Sequence, residues 1–156
     1  MTTLASRIVD SLKAKAETLS IAESITGGLL TSAIVSFPGA SQILKGSIIA
    51  YSIETKVREL SVPQEVIDSE GVVSEDVALA MAEGIRTRMN TTWSIASTGV
   101  AGPGPHHEIP AGTVWLAVVG PNTRETVKLA LEGDRDSVRR GAVESALGVF
   151  ARILAS

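Results

Sequence analysis

The apolar residues of this chain switch repeatedly between helical spacing and short strand-like runs. Leu4, Ile8, Leu12 and Ala16 recur at helical spacing, and the apolar run 18–22 follows at once. The pattern predicts helices over 4–17, 27–36, 55–60, 63–71, 75–89 and 134–154, and strands over 18–22, 47–51, 93–98, 113–119 and 126–131. Helices therefore alternate with strands as far as residue 98, and a hairpin follows.

This alternation predicts an α/β fold, because strands joined by helices pair in parallel and a hairpin pairs antiparallel. We expect a three-layer α/β/α sandwich with a mixed, mostly parallel sheet. The chain has 156 residues, 44% of them hydrophobic, which suits one well-packed domain over 1–156. Its helix 75–89 is expected to bury Val77, Ala78, Met81, Ala82 and Ile85.

The composition excludes several classes of function. There is no cysteine, so a disulfide framework, a thiol nucleophile and thiolate metal sites are excluded. A net charge of −3 argues against a nucleic-acid partner. Neither a bilayer-spanning apolar run nor the apolar core of a signal peptide is present, so we expect a cytoplasmic protein without a membrane partner.

Two short polar strings, Ala22–Gly28 and Ser97–Pro103, each follow a strand-like run. They place hydroxyl groups next to glycines, Ser24 and Thr26 in the first string and Thr98 in the second. Parallel strands would bring both strings to one edge of the sheet, where the ligands of such folds bind. Glycines admit a close ligand, and N–H groups at a helix start suit a phosphate or an oxyanion. The strings therefore predict a functional site.

Lysine is the remaining candidate for a catalytic base. The chain lacks the phosphate-loop, dinucleotide-binding and nucleophile-elbow motifs. His106 and His107 are adjacent and have no third ligand, so a solvated loop is favoured over a metal site. Lys56 follows a predicted strand and could serve Ser24 as its base if burial lowers its pKa. The alternative is an ordinary exposed lysine at a helix start.

Each other candidate has a structural alternative. Ser24 is either reactive or a helix N-cap, and Thr98 either assists the reaction or satisfies backbone groups at a strand end. Glu23 could orient Lys56, bind a polar group of the substrate, or be a solvated carboxylate. Arg135 pairs either with a substrate phosphate or with a neighbouring aspartate, Asp134 or Asp136. Gly99 and Gly102 are either ligand contacts or turn glycines.

Several separate motifs occur in one order over nearly the whole chain, from about residue 5 to residue 154. They are Ala22-Glu23-Ser24-x-Thr26-Gly27-Gly28, Ala50-Tyr51-Ser52 ahead of Lys56, Gly71-x-Val73-Ser74, Thr98-Gly99-x-Ala101-Gly102-Pro103, Gly112-Thr113-Val114-Trp115 and Gly133-Asp134-Arg135. In these motifs the chain resembles the C-terminal domain of the competence/damage-inducible CinA proteins, a family that also includes stand-alone nicotinamide-nucleotide amidases (PncC).

The resemblance implies deamidation of nicotinamide mononucleotide to nicotinate mononucleotide and ammonia, with no metal or other cofactor. It implies that Ser24 is the nucleophile, that Lys56 is its base, and that Tyr51 and Thr98 assist. Backbone N–H groups near residues 26–28 are expected to hold the oxyanion. The residues expected to bind substrate are Glu23, Thr26, Gly27, Gly28, Ser52, Gly99, Ala101, Gly102 and Arg135.

The chain departs from the family pattern at three places. Ile25 stands where the family usually has cysteine, and Ile53 stands where it usually has asparagine. The usual glycine-rich continuation after Ala-Gly-Pro is replaced by residues 104–109, which include Pro105 and so stiffen and enlarge the loop. These changes leave Ser24 and Lys56 in place and concern the shape of the pocket.

The sequence leaves two other classes of function open. One is a module that binds a nucleotide without chemistry, and the other is an interaction domain that works beside a CinA-type N-terminal domain. A homodimer is a further expectation, because the apolar side of helix 4–17 could pack either against a second copy or against the core.

Overall fold

The computed structural model describes residues 3–156. The helices are α1 (Leu4–Lys15), α2 (Leu29–Val35), α3 (Ile53–Leu60), α4 (Gln64–Glu70), α5 (Glu75–Met89) and α6 (Arg135–Ala155). The strands are β1 (Leu19–Glu23), β2 (Leu44–Ile49), β3 (Trp93–Gly99), β4 (Thr113–Gly120) and β5 (Thr123–Ala130). The single-domain prediction over 1–156 includes residues 1 and 2, which lie outside the described residues.

The strands form one five-stranded sheet in the order β2-β1-β3-β4-β5. β1 pairs in parallel with β2 and with β3, whereas the β3–β4 and β4–β5 pairs are antiparallel. Four of the five strands therefore point in the same direction, which confirms the predicted mixed, mostly parallel sheet. The carboxyl ends of β1, β2 and β3 lie side by side at one edge.

Helices cover both faces of the sheet, as the sandwich prediction requires. On one face α1, α2 and α6 pack around Ile21, Ile95 and Phe150. On the other face α5 lies across the sheet with α3 and α4 beside it. The residues that α5 buries are the predicted Val77, Ala78, Met81, Ala82 and Ile85.

The strand boundaries differ from the predicted ones by up to three residues, most of all at β2 and β5. β2 begins at Leu44, three residues before the predicted 47, because it pairs with β1 from Leu19 onward, and it ends at Ile49, two residues before the predicted 51. β5 begins at Thr123, three residues before the predicted 126, because it pairs with β4 directly from the turn. Residues 123–125 are polar since β5 is an edge strand, and strand-like apolar alternation is therefore missing there.

The apolar side of α1 is used inside the molecule. Ile8, Val9 and Leu12 are fully buried, and the helix packs against α6 and α2. This packing removes the sequence argument for a homodimer through α1, and the homodimer stays a prediction without a defined surface. No helix within residues 3–156 combines the length and the apolar character that crossing a bilayer requires.

Two helical glycines provide a matched test of the packing between α3 and α5. A Cβ added at Gly84 in α5 would lie 1.8 Å from the carbonyl oxygen of Leu60, so Gly84→Ala must push the two helices apart. We expect a loss of about 3 kcal/mol or more in the free energy of unfolding. Urea denaturation followed by circular dichroism measures it.

Gly148 in α6 is the control for this substitution. The atom nearest to an added Cβ is Leu4 Cδ1 at 4.0 Å, so Gly148→Ala meets no obstacle. Alanine lowers the backbone entropy of the unfolded chain, and we expect stabilisation of roughly 0.5–1 kcal/mol. Equal effects of the two substitutions would contradict the close approach at Gly84.

Candidate active site

A buried lysine and a buried serine are in direct contact at the carboxyl edge of the sheet. Lys56 Nζ donates to Ser24 Oγ at 2.9 Å and to the carbonyl oxygen of Ala50 at 2.7 Å. Lys56 is only 2% exposed and Ser24 only 8%. The sequence-based alternative of an exposed lysine is therefore wrong, and the two predicted side chains lie within hydrogen-bond distance.

The parallel pairing of β1 and β2 brings these two residues together. Ser24 is the first residue after β1, and Lys56 lies in the first turn of α3, which begins four residues after β2 ends. Glu23 at the end of β1 pairs with Ile49 at the end of β2. The two strand ends therefore stop at the same height, and the turn that follows β2 returns Lys56 over Ser24.

The surroundings of Lys56 favour an uncharged amine. Burial lowers the pKa of Lys56 from 10.5 to about 8. Within residues 3–156 no carboxylate forms an ion pair with it. A neutral amine has two N–H groups and one lone pair, so it can donate to Ala50 and still accept a proton from Ser24. Roughly a tenth of the molecules carry the neutral form at pH 7.

A cleft with a volume of about 400 Å³ opens above this pair. Its volume lies in the range of small-molecule sites. It is lined by Ser24, Ile25, Tyr51, Ile53, Lys56, Val72, Val73, Arg135 and residues 98–106. The cleft therefore joins the two polar strings that the sequence singled out.

Glu23 has a structural task. Its side chain is fully buried. The carboxylate accepts from the backbone N–H groups of Gly28, Leu30 and Thr31 at 3.0–3.1 Å, and from the hydroxyl of Thr31. It thus satisfies the free N–H groups at the start of α2. The alternative of a solvated carboxylate is therefore wrong, and among residues 3–156 the hydrogen-bond partners of the Glu23 side chain do not include Lys56. The substrate contact stays a prediction.

The glycines of the first string are likewise not the expected oxyanion donors. The N–H of Gly27 donates to the carbonyl oxygen of Ser24 at 3.2 Å, and that of Gly28 donates to Glu23. The hydroxyl of Thr26 is fully buried against Ser97 Oγ, 2.8 Å away. Among residues 3–156 the backbone N–H groups of Ile25 and Thr26 have no acceptor, so the available donors lie directly after Ser24.

Ser52 caps a helix and does not line the cleft. Its Oγ accepts from the backbone N–H of Thr55 at 3.0 Å, which places it at the N-cap of α3. The predicted substrate contact of Ser52 is therefore replaced by a role in starting the helix that carries Lys56. The neighbouring Ile53 does line the cleft, so the cleft has an apolar side chain where the family usually has an amide.

The second string forms one wall of the cleft. Thr98, Gly99, Ala101 and Gly102 all line it, as predicted for site residues. The hydroxyl of Thr98 is 1% exposed and donates to the carbonyl oxygen of Val72 at 3.0 Å. Thr98 therefore both satisfies a backbone group and faces the cleft, where its oxygen lone pairs are available as acceptors.

Arg135 spans the mouth of the cleft. It donates to the carbonyl oxygen of Gly102 at 2.6 Å and to the hydroxyl of Tyr51 at 3.1 Å. Asp136 pairs with Arg140 instead, and among residues 3–156 no carboxylate lies within ion-pair distance of Arg135. The predicted alternative of an Arg135–aspartate pair is wrong, and the rim of the cleft carries an uncompensated positive charge.

The two histidines lie on the exposed part of the loop between β3 and β4. Their rings are in edge contact, with centroids 4.3 Å apart, and only His106 lines the cleft. Across residues 3–156 no group of three or more His, Cys, Asp or Glu side chains is arranged to hold a metal ion.

Two residues of the site are absent from the sequence-based set. Val72 accepts from Thr98 through its carbonyl oxygen, and a backbone partner of this kind leaves no sequence signal. Arg139 donates to the carbonyl oxygens of Ile25 and Thr26. A signal for Arg139 exists, since it lies one helical turn after Arg135 and so on the same side of α6.

Similar proteins share both the sequence and the fold of this chain. It is 42% identical to a CinA-like protein of Frankia casuarinae over 148 residues, which is 95% of this chain and 34% of that protein. It is 41% identical over 152 residues to a CinA-like protein of Dictyoglomus thermophilum, covering 97% of this chain and 37% of that protein. The chain thus spans about a third of the length of these curated relatives.

Solved structures agree with this similarity. The crystal structure of competence damage-inducible protein A (ComA) from Klebsiella pneumoniae superposes with a TM-score of 0.95 at 31% identity, covering 97% of this chain and 95% of that one. The competence/damage-inducible protein CihA from Agrobacterium tumefaciens gives a TM-score of 0.93 at 31% identity, with 98% and 94% covered. The sequence profile of the CinA C-terminal domain matches residues 1–154. The chain belongs to the CinA C-terminal domain family.

Proposed function

We propose that the protein is an amidohydrolase that converts nicotinamide mononucleotide to nicotinate mononucleotide and ammonia. The observation that carries the proposal is the 2.9 Å hydrogen bond between the buried Lys56 amine and Ser24 Oγ at the base of a cleft. A serine and a neutral lysine form a recognised nucleophile–base pair. Family membership is consistent with this reaction and does not by itself define it.

The first half of the reaction acylates Ser24. The hydroxyl proton passes to the lone pair of Lys56 while the oxygen attacks the carboxamide carbon of the nicotinamide ring. The carbonyl oxygen becomes an oxyanion, which accepts hydrogen bonds from the N–H groups of Ile25 and Thr26. Lys56 then returns the proton to the amide nitrogen, the C–N bond breaks, and ammonia leaves.

The second half releases the acid. Lys56 is again neutral and takes a proton from a water molecule, whose oxygen attacks the acyl carbon. The same two N–H groups hold the second oxyanion, and collapse of this intermediate breaks the ester bond to Ser24. The proton on Lys56 returns to the serine oxygen, so the pair regains its starting state.

The cleft suits a ligand with an apolar ring at one end and an anion at the other. Ile25, Ile53 and Val73 give its interior an apolar lining against which a pyridine ring can pack. Arg135 at the mouth has hydrogen-bond donors and no carboxylate partner within the described residues, which suits a phosphate. The amide would then reach Ser24 while the phosphate stays at the rim.

Removing either member of the pair should abolish turnover without unfolding the chain. We expect Ser24→Ala and Lys56→Met each to lower kcat for nicotinamide mononucleotide by at least about 10³-fold, because the nucleophile and its base act as one unit. Ammonia release measures the activity, and circular dichroism verifies the fold.

Lys45→Met is the matched control, since Lys45 is exposed on the edge strand β2. It should retain wild-type activity. Ligand binding by the wild type without turnover would favour the nucleotide-binding alternative, and the absence of both binding and turnover would favour the interaction domain.

The activity should depend on pH through Lys56. The neutral amine is the active form, so kcat/KM should fall about tenfold per pH unit below pH 8 and level off above it. Steady-state rates between pH 6 and 9.5 measure the profile. A rate that is flat across this range, or that falls as pH rises, would contradict a lysine base.

The lowered pKa of Lys56 should also make the free energy of unfolding depend on pH, even without substrate. Lys56 has a pKa of about 8 in the folded chain and 10.5 as its ordinary value, so the unfolded chain binds more protons between these limits. The free energy of unfolding should therefore rise with pH across this window, by up to about 3 kcal/mol, and Lys56→Met should lack this rise.

The phosphate role of Arg135 has a substrate-based test. We expect Arg135→Met to raise KM for nicotinamide mononucleotide roughly 10–100-fold, because a charge-assisted contact contributes about 1.5–3 kcal/mol. KM for nicotinamide riboside, which lacks the phosphate, should change little. Arg140→Met is the control, because Arg140 is exposed and pairs with Asp136. Equal losses for both substrates would place Arg135 elsewhere in the reaction.

A further inference from the structure

We propose that Arg139 is a positioning residue, which holds the turn after Ser24 and so fixes the direction of the backbone N–H group of Thr26. The inference rests on the proposed acyl transfer at Ser24, and it adds a residue that the family motifs quoted above do not contain. Arg139 does not line the cleft, so it acts through the backbone of Ile25 and Thr26 and not by touching the substrate.

The guanidinium of Arg139 binds two successive carbonyl oxygens. Its Nε donates to the carbonyl of Ile25 at 3.0 Å, and its Nη2 donates to that of Thr26 at 3.2 Å. The side chain is partly buried, and within residues 3–156 no carboxylate forms an ion pair with it. Its donors are thus directed at this one loop.

Holding a carbonyl also fixes the N–H group of the same peptide unit. In a planar trans peptide the C=O and the following N–H point in opposite directions. With the carbonyl of Ile25 held toward α6, the N–H of Thr26 must point away from α6. This N–H has no acceptor among residues 3–156. Thr26 is fully buried next to Ile25, which lines the cleft, and the proposal assigns its N–H to the oxyanion that forms at Ser24.

Gly27 makes room for the guanidinium. A Cβ at this position would lie 2.9 Å from Arg139 Nη2, and the residue has a φ of +52°. On the other side of the loop the buried carboxylate of Glu23 accepts N–H groups of residues 28, 30 and 31. Arg139 therefore binds two carbonyls at the start of the segment, and Glu23 binds three amides further along it. The carbonyl of Thr26 also accepts from the N–H of Leu29 at 2.9 Å.

This arrangement should contribute to the transition state and little to substrate binding. Negative charge develops on the substrate oxygen only as Ser24 attacks, and fixed donors stabilise it without having to reorient. Without Arg139 the N–H groups remain but the peptides can turn. The expected signature is a lower kcat with an unchanged KM.

The test compares Arg139→Ala and Arg139→Lys with Arg140→Ala, a neighbouring arginine that is exposed and pairs with Asp136. Two readouts are needed: kcat and KM for nicotinamide mononucleotide, and the rate at which a fluorophosphonate labels Ser24, followed by mass spectrometry. In the labelling reaction the serine oxygen bonds to phosphorus, fluoride leaves, and Lys56 takes the hydroxyl proton. The label thus requires oxyanion stabilisation but no nicotinamide.

For Arg139→Ala we expect kcat and the labelling rate to fall by roughly 10²-fold, with KM changed less than about threefold. Free guanidinium chloride at millimolar concentration should restore part of both rates, and it should not affect Arg139→Lys or the wild type. Arg140→Ala should behave as the wild type. Guanidinium can restore the rates only in a variant that is folded. Rescue therefore shows that the loss comes from the missing side chain and not from unfolding.

Three results would overturn the inference. They are unchanged rates in Arg139→Ala, a rise in KM that accounts for the whole loss, and a loss without rescue in a variant whose melting temperature equals that of the wild type. Failure of the proposed function gives a different result, because the wild type would then be labelled at Ser24 yet release no ammonia. A wild type that is neither labelled nor active overturns both proposals.

Discussion

The hydrogen bond between Lys56 and Ser24 depends on the amine being buried without a counter-charge. An ammonium in this position would need a carboxylate, and none of the described residues provides one. The carbonyl oxygen of Ala50 accepts one N–H of the Lys56 amine, and Ser24 is the amine's only other hydrogen-bond partner among residues 3–156. The lowered pKa and the free lone pair therefore have the same cause, which is desolvation. A carboxylate next to Lys56 would stabilise the charged ammonium, which has no lone pair to accept a proton.

A second charge, that of Glu23, is kept away from this amine by the start of α2. Its carboxylate is fully buried one residue before Ser24, yet it is neutralised by N–H groups of the helix and by Thr31. The helix N-terminus carries a partial positive charge that satisfies an anion well. Because Glu23 already engages this charge, the donors of the proposed reaction would come from the turn before the helix.

The sequence predicts the fold and the contact between Ser24 and Lys56 well, for reasons that are local. Periodicity defines each element, and the parallel order of β1, β2 and β3 follows from the helices between them. The strand-end position of Ser24 and Lys56 then predicts their contact. The roles of Glu23 and Ser52 are not predictable in this way, because a polar residue before a helix serves equally as a cap or as a ligand. Only the direction of the side chain decides between them.

The contacts of α6 with the loop after Ser24 are not predictable from the sequence, for a different reason. Arg135 and Arg139 lie more than a hundred residues after Ser24, and the contacts of Arg139 are with carbonyl oxygens, which every residue possesses. No pattern in the 24–28 string indicates that its carbonyls need an external donor. The carbonyl of Thr26 also accepts from the backbone N–H of Leu29, whereas that of Ile25 has Arg139 as its donor among residues 3–156. Arg139 on α6, which is remote in sequence, provides the donor that the carbonyl of Ile25 lacks locally.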